Sequence, residues 1–215
     1  MGTITRGFAN NITTSGVLLP ASLNNNSIAN VTAYNASVAT GGMVLVSSAT
    51  ASSSASIEFS LGNYKEYVFY FVNMHPQSDN YHFQFQTSID NGSTYGVTAT
   101  TTYFQAYHRE DGGVSGFGYN TVNDKAQSTN FLDLQVQVGN GNDEGTSGIL
   151  HLFNPSSQTY VKHFMSDFSG YLYNDYNFHT FTAGYFNDTN DLTNIKFQQS
   201  SGNIDDGKIL MFGVN

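Results

Sequence analysis

Tyr67-Val68-Phe69-Tyr70-Phe71-Val72 is followed, after eight intervening residues, by Tyr81-His82-Phe83-Gln84-Phe85-Gln86. The first run is apolar on both parities, the pattern of a central β-strand covered on both faces. In the second, aromatics alternate with polar groups. Successive strand side chains point to opposite faces, so one face is aromatic and the other polar. The alternation returns in Leu132-Asp133-Leu134-Gln135-Val136-Gln137-Val138. A helix would need an apolar stripe at i, i+3, i+4 and i+7, and no window carries a long capped one.

Outward from these runs the same reading extends to Met43-Val44-Leu45-Val46, to Ile57-Glu58-Phe59 and to residues 101–107, 148–153, 160–165, 179–186, 194–198 and 208–212. The Ser/Ala/Thr stretch 47–56 between the first two reads as an edge strand or bulge. Asp90-Asn91-Gly92, Asp111-Gly112-Gly113, Gly139-Asn140-Gly141-Asn142, Asn154-Pro155-Ser156 and Asp205-Asp206-Gly207 punctuate the runs with turn chemistry. Short strands separated by such turns predict an all-β fold, an antiparallel two-sheet sandwich of jelly-roll type. Phe and Tyr supply large buried areas, so this core needs no disulfide.

Composition bounds the chemistry. The 215 residues contain no Cys, which excludes disulfides, Cys-ligated zinc, iron–sulfur clusters and a cysteine nucleophile. Seven Lys+Arg against 16 Asp+Glu give a net charge of −9, so no basic stripe can be assembled to track a phosphate backbone and nucleic acid is not an expected partner. No apolar run reaches the roughly 18 residues of a membrane-spanning helix, and we expect no membrane insertion. The start lacks a basic segment followed by an apolar one, so no secretory signal peptide is expected. With 24 Asn, 23 Ser and 21 Thr, the surface is made soluble by amides and hydroxyls more than by charges.

Charge and aromatic mass are unevenly spread. Residues 1–57 hold one charged residue, Arg6, and two of the 31 aromatics, Phe8 and Tyr34. The start of the chain has too little apolar mass to offset chain entropy alone. We read residues 1–42 as an extended Asn/Ser/Thr/Ala-rich arm and 43–215 as the sandwich domain. The arm's apolar group, Val17, Leu18 and Leu19, is its candidate assembly contact.

Gly202-Asn203-Ile204-Asp205-Asp206-Gly207-Lys208 has the glycine and lysine spacing of a phosphate-binding loop, but Ile209 stands where Ser or Thr must bind magnesium and two Asp would repel phosphate. A hairpin turn is the better reading. Residues 90–93, 140–144, 187–191 and 203–206 are acidic loops with oxygen ligands that suit calcium, yet none has the twelve-residue EF-hand spacing. His75, His82, His108, His151, His163 and His179 form no metal motif, and no metal or cofactor is expected. The densest ionisable group, His108-Arg109-Glu110-Asp111, precedes two glycines and reads as a solvated loop; no catalytic residue is assigned and no enzyme activity is expected. Tyr171, Tyr173, Tyr176 and Phe178, in an Asn/Asp-bearing segment, are the candidate contact for a glycan or protein partner.

Met43-Val44-Leu45-Val46 with Ser54-Ala55-Ser56-Ile57-Glu58-Phe59, Tyr64-Lys65-Glu66-Tyr67-Val68-Phe69 running to His75-Pro76, and Tyr81 to Gln86 together resemble β-rich virion structural proteins of marine tailed phages, chiefly cyanophages, of tail-fibre or decoration type. Further on, Thr101-Thr102-Tyr103-Phe104 with Ala106-Tyr107-His108, Leu150-His151-Leu152-Phe153-Asn154-Pro155-Ser156-Ser157, Tyr160-Val161-Lys162-His163-Phe164 and Ser201-Gly202-Asn203-Ile204-Asp205 share the likeness. The resemblance covers residues 43–214 and carries no catalytic residues. It implies a non-enzymatic virion component, assembled in the host cytoplasm, whose partners are other virion proteins and copies of itself, a trimer by analogy with fibres. Two placements follow, an exposed tail-fibre or appendage module and a capsid decoration protein bracing the head shell. A carbohydrate-binding module contacting host surface glycans is the reading from another class.

Overall fold

The computed structural model describes residues 42–215. The expected arm and its Val17, Leu18 and Leu19 contact lie outside the described residues. The twelve strands are β1 (Met43–Thr50), β2 (Ile57–Ser60), β3 (Glu66–Pro76), β4 (Tyr81–Ser88), β5 (Ala99–Arg109), β6 (Ser115–Tyr119), β7 (Leu132–Val138), β8 (Gly145–Phe153), β9 (Lys162–Tyr171), β10 (Tyr176–Phe186), β11 (Asn194–Gln199) and β12 (Ile204–Val214). No helix occurs among the described residues. One sheet has eight strands in the order β1-β12-β3-β8-β9-β10-β5-β6, and the other has four in the order β2-β11-β4-β7.

The topology is a jelly roll with two inserted hairpins. When β5–β6 and β9–β10 are set aside, the remaining strands pair first with last: β1 with β12, β2 with β11, β3 with β8 and β4 with β7. Wrapping that long double strand around itself brings β12 against β3 and β11 against β4. Paired strands wound this way into two facing sheets define the jelly roll. The inserted hairpins then extend the larger sheet beyond β8, with β9 next to β8, β10 next to β9, and β5 and β6 outermost.

The core follows from strand parity. Tyr67, Phe69 and Phe71 of β3 face Phe83 and Phe85 of β4 and Phe197 of β11, all fully or nearly fully buried. The Phe197 ring is the hub, with ring centroids 5.0 Å from Phe71, 5.3 Å from Phe69, 6.2 Å from Phe83 and 6.3 Å from both Phe59 and Phe85. Each buried Phe stabilises the fold by about 1.5–3 kcal/mol through removal from water. Edge-to-face pairs add roughly 0.5–1.5 kcal/mol each.

Two expectations need correcting. β3 is central in its hydrogen bonding, between β12 and β8, but its outer face is only partly covered: Val68 is buried, Tyr70 meets Phe212 edge-on, and Val72 is 45% exposed. The second sheet lies on one side only. The polar face of the 132–138 run is not solvent-facing either, since Asp133 and Gln135 are buried. The register between β4 and β7 slips twice, which breaks strict alternation there. The free edge of β7 is covered by its neighbour layer, where Thr180 and Thr182 of β10 donate to the carbonyls of Leu134 and Asp133 at 2.7 and 3.0 Å.

Candidate functional site

The larger sheet is twice as wide as the smaller, and β7, the last strand of the smaller, lies over β9 and β10. β5 and β6 therefore overhang. Beneath the overhang Tyr103, Val136, Leu172 and Phe178 form a second, smaller core, against which Tyr107 and Tyr176 are half-buried. Tyr107 stacks on Phe178 with centroids 5.7 Å apart and planes at 11°, and Tyr176 meets Tyr107 edge-on at 6.0 Å. The Arg109 guanidinium covers the Tyr176 ring at 5.9 Å. Gly116 of β6 makes this arrangement possible: a Cβ there would sit 2.6 Å from the Tyr107 hydroxyl oxygen.

These rings border a groove of about 660 Å³, within the range of ~300–1,000 Å³ that ligand sites occupy. Six amides line it: Asn80, Gln105, Asn120, Asn123, Gln137 and Asn174. Three are held in place by side-chain bonds, Asn120 at both ends because its oxygen also accepts from the Val122 and Asn123 N–H groups. The Asn120 amide donates to Gln105 Oε1 at 2.7 Å, and that of Asn123 donates to Asp133 Oδ2 at 3.0 Å. The Gln105 NH₂ and the Asn123 carbonyl oxygen remain for other partners.

Asp133 anchors the groove wall from behind. Its carboxylate also accepts from Gln84 Nε2 at 2.7 Å, lies 3.1 Å from His82 Nδ1 and is 3.8 Å from Lys125 Nζ. Burial alone would raise the Asp133 carboxyl, but the hydrogen bonds and charge of His82, with Gln84 and Asn123, outweigh it and hold the group below the ordinary carboxylate value. A buried charge is tolerated here because it is fully surrounded by donors.

On the opposite, outer face of the larger sheet lies an open cleft of about 780 Å³. Its carboxylates are Glu110, Asp143, Glu144, Asp205 and Asp206, joined by His75 and Tyr171. Several of these groups hold turns: Glu144 accepts from the Gly141 N–H, and Asp206 from the Gly207 N–H. Desolvation first, then the charges of Glu110, Asp175 and Asp143, push the Tyr171 hydroxyl up to about 12.

The four aromatics singled out by sequence are thus divided. Tyr171 belongs to the outer acidic cleft, Tyr176 and Phe178 to the amide groove, and exposed Tyr173 borders neither. The β9–β10 turn puts Tyr171 on one side of the sheet, whereas Tyr176 and Phe178 share the inner face with Thr180 and Thr182. Tyr107 and the amides were not singled out, because Tyr107, Gln105 and Gln137 read as ordinary members of strand runs, the other amides as turn residues, and only the fold collects them.

Two of the acidic loops bind donors of the chain itself. Asp90 accepts from the Ser88 and Thr94 hydroxyls and the Thr94 N–H, and these bonds lower its carboxyl to about 2. In the 187–191 loop, the carbonyls of Asp188 and Asn190 accept from the buried Lys162 ammonium, a cation supplied by the chain itself. Burial lowers the Lys162 pKa, against the pull of Asp188 and Asp191. Among the described residues no cluster of three His, Asp or Glu could hold a metal ion. Residues 204–214 form a strand, which corrects the expected hairpin turn: Asp205-Asp206-Gly207 is an irregularity inside β12 where the pairing with β3 shifts register, and β11 and β12 belong to different sheets. Arg109 pairs with Asp111 at an exposed hairpin tip.

No protein-family model matches the chain, and no curated protein or solved structure is significantly similar to it.

Proposed function

We propose that this chain is a non-enzymatic structural component of a tailed-phage virion, its jelly roll exposed on the particle as a tail-fibre or appendage module tethered by residues 1–42. The observation that carries this reading is the set of strings between Met43 and Asp205 that resembles virion proteins, most of which lie on strands of the jelly roll. The fold supports it by analogy, since jelly rolls build viral capsid and lectin domains. The composition supports it as well: with 11% charged residues, most of the surface available for packing copies together is made of amides and hydroxyls. Partners on this reading are other virion proteins and further copies of the chain.

Immunogold labelling of intact particles tests it, with antibody raised against the full-length chain. Label on tail or fibre supports the appendage role. Label on the head replaces it with a decoration role, and a particle free of label overturns the virion reading altogether. The absence of catalysis is tested separately: polysaccharide incubated with the purified chain should keep its length, and shortening abolished by Glu110→Gln would make the outer cleft an active site.

A further inference from the structure

We propose that the groove between β7 and the overhanging β5–β6 hairpin binds a neutral oligosaccharide. The inference goes beyond the virion assignment and does not depend on where a particle carries the module. It starts from charge. In a chain of net charge −9, no Asp, Glu, Lys or Arg is among the residues lining this groove. The charges that approach it are paired elsewhere, Arg109 with Asp111 and Asp133 with His82 and Lys125. The one titratable side chain in the lining besides tyrosine, His82, is held on Asp133 at 3.1 Å, so a phosphate, sialic acid or uronate would find no unpaired cation there, and a cationic ligand no free carboxylate.

The groove offers amides beside rings. An amide carries a donor and an acceptor at neighbouring positions, which matches vicinal sugar hydroxyls that donate and accept in turn. Gln105 and Asn123 are each fixed at one end by an internal bond, Gln105 by Asn120 and Asn123 by Asp133, so their free ends are held ready and lose little rotamer freedom on binding. Tyr107 and Tyr176 supply half-buried aromatic surface for the apolar faces of pyranose rings. A lipid would leave the free Gln105 NH₂ and Asn123 carbonyl oxygen unpaired, at the cost of each buried polar group without a partner. The outer cleft also has amides and a tyrosine but differs in charge, with five carboxylates.

The test presents the full-length chain to immobilised neutral gluco-, galacto- and manno-oligosaccharides alongside sialylated and uronate-containing ones, and measures affinity for retained sugars by titration calorimetry. Retention of a neutral oligosaccharide is expected. Tyr176→Ala and the rim variant Gln137→Ala should each weaken it on the order of tenfold. Tyr171→Ala, across the sheet, should leave it unchanged, with melting temperatures reporting that all variants fold. Binding confined to acidic sugars, no binding at all, or binding lost in Tyr171→Ala and kept in Tyr176→Ala overturns the proposal. Particle labelling is unaffected by any of these outcomes, so the two readings fail separately.

Discussion

The two halves of the larger sheet solve the same problem differently. Beneath the four-stranded sheet, β3, β12, β8 and β9 are sealed by a mass of Phe rings around Phe197. Past β7 there is no facing sheet, and the inner side of the 176–178 end of β10 and the 103–107 stretch of β5 is covered only by a small cluster, two half-buried tyrosines and a rim of amides. Packing dominates the first half. The second keeps polar groups at its surface, held in place by Asp133. The difference teaches where a binding function can reside: a sealed apolar interface has no surface to offer, whereas an overhang is concave and wet without destabilising the core.

The comparison is tested most severely by Phe197→Ala. Losing the hub ring should cost about 3–5 kcal/mol in urea unfolding, and it should unfold overhang and covered half in one transition if the sheet is cooperative. Separate transitions would make the overhang an independent unit. Asp133→Asn comes next, at about 2–3 kcal/mol, because it weakens charged hydrogen bonds from His82, Gln84 and Asn123. This variant also has a pH signature. The folded carboxyl is lowered, so its contribution is complete above the ordinary aspartate value of about 3.9 and is lost as pH falls through the folded value. Melting temperature plotted against pH should drop less steeply below that point in Asp133→Asn than in the parent chain.

Gly116→Ala should act on the overhang alone. The new Cβ displaces Tyr107 from Phe178 at a cost of about 1–3 kcal/mol, with sugar affinity falling in the same variant while Gln199→Met leaves it intact. Gln199 is buried in the covered half with neither amide end hydrogen-bonded. Replacing it by Met should raise stability by about 1 kcal/mol, read from the urea midpoint. A loss of stability there would mean that the amide has a partner the covered half needs.

Most of the strands were legible because their signal is local: Tyr81, Phe83 and Phe85 alternate with polar groups whatever they eventually face. β6 was not. In Ser115-Gly116-Phe117-Gly118-Tyr119 one parity is all glycine between turns, and the reason for Gly116, room for the Tyr107 ring, lies on another strand. The limits of β9 and β10 shifted for the same kind of reason, as Ser166, Asp167 and Ser169 are carried into the strand by pairing with β8 and β10.

Period-two alternation, turn residues and aromatic mass are properties of neighbouring residues, so the chain alone determined that it would be all-β, disulfide-free and folded as two sheets. Composition likewise determined that no basic surface could exist. The site was decided by tertiary structure. Gln105, Asn123, Gln137 and Tyr176 are far apart along the chain and unremarkable in place, and they meet because two inserted hairpins widen one sheet beyond the other. The split of Tyr171 from Tyr176 was decided there too, since which face a side chain takes after a turn depends on how that turn is built and paired.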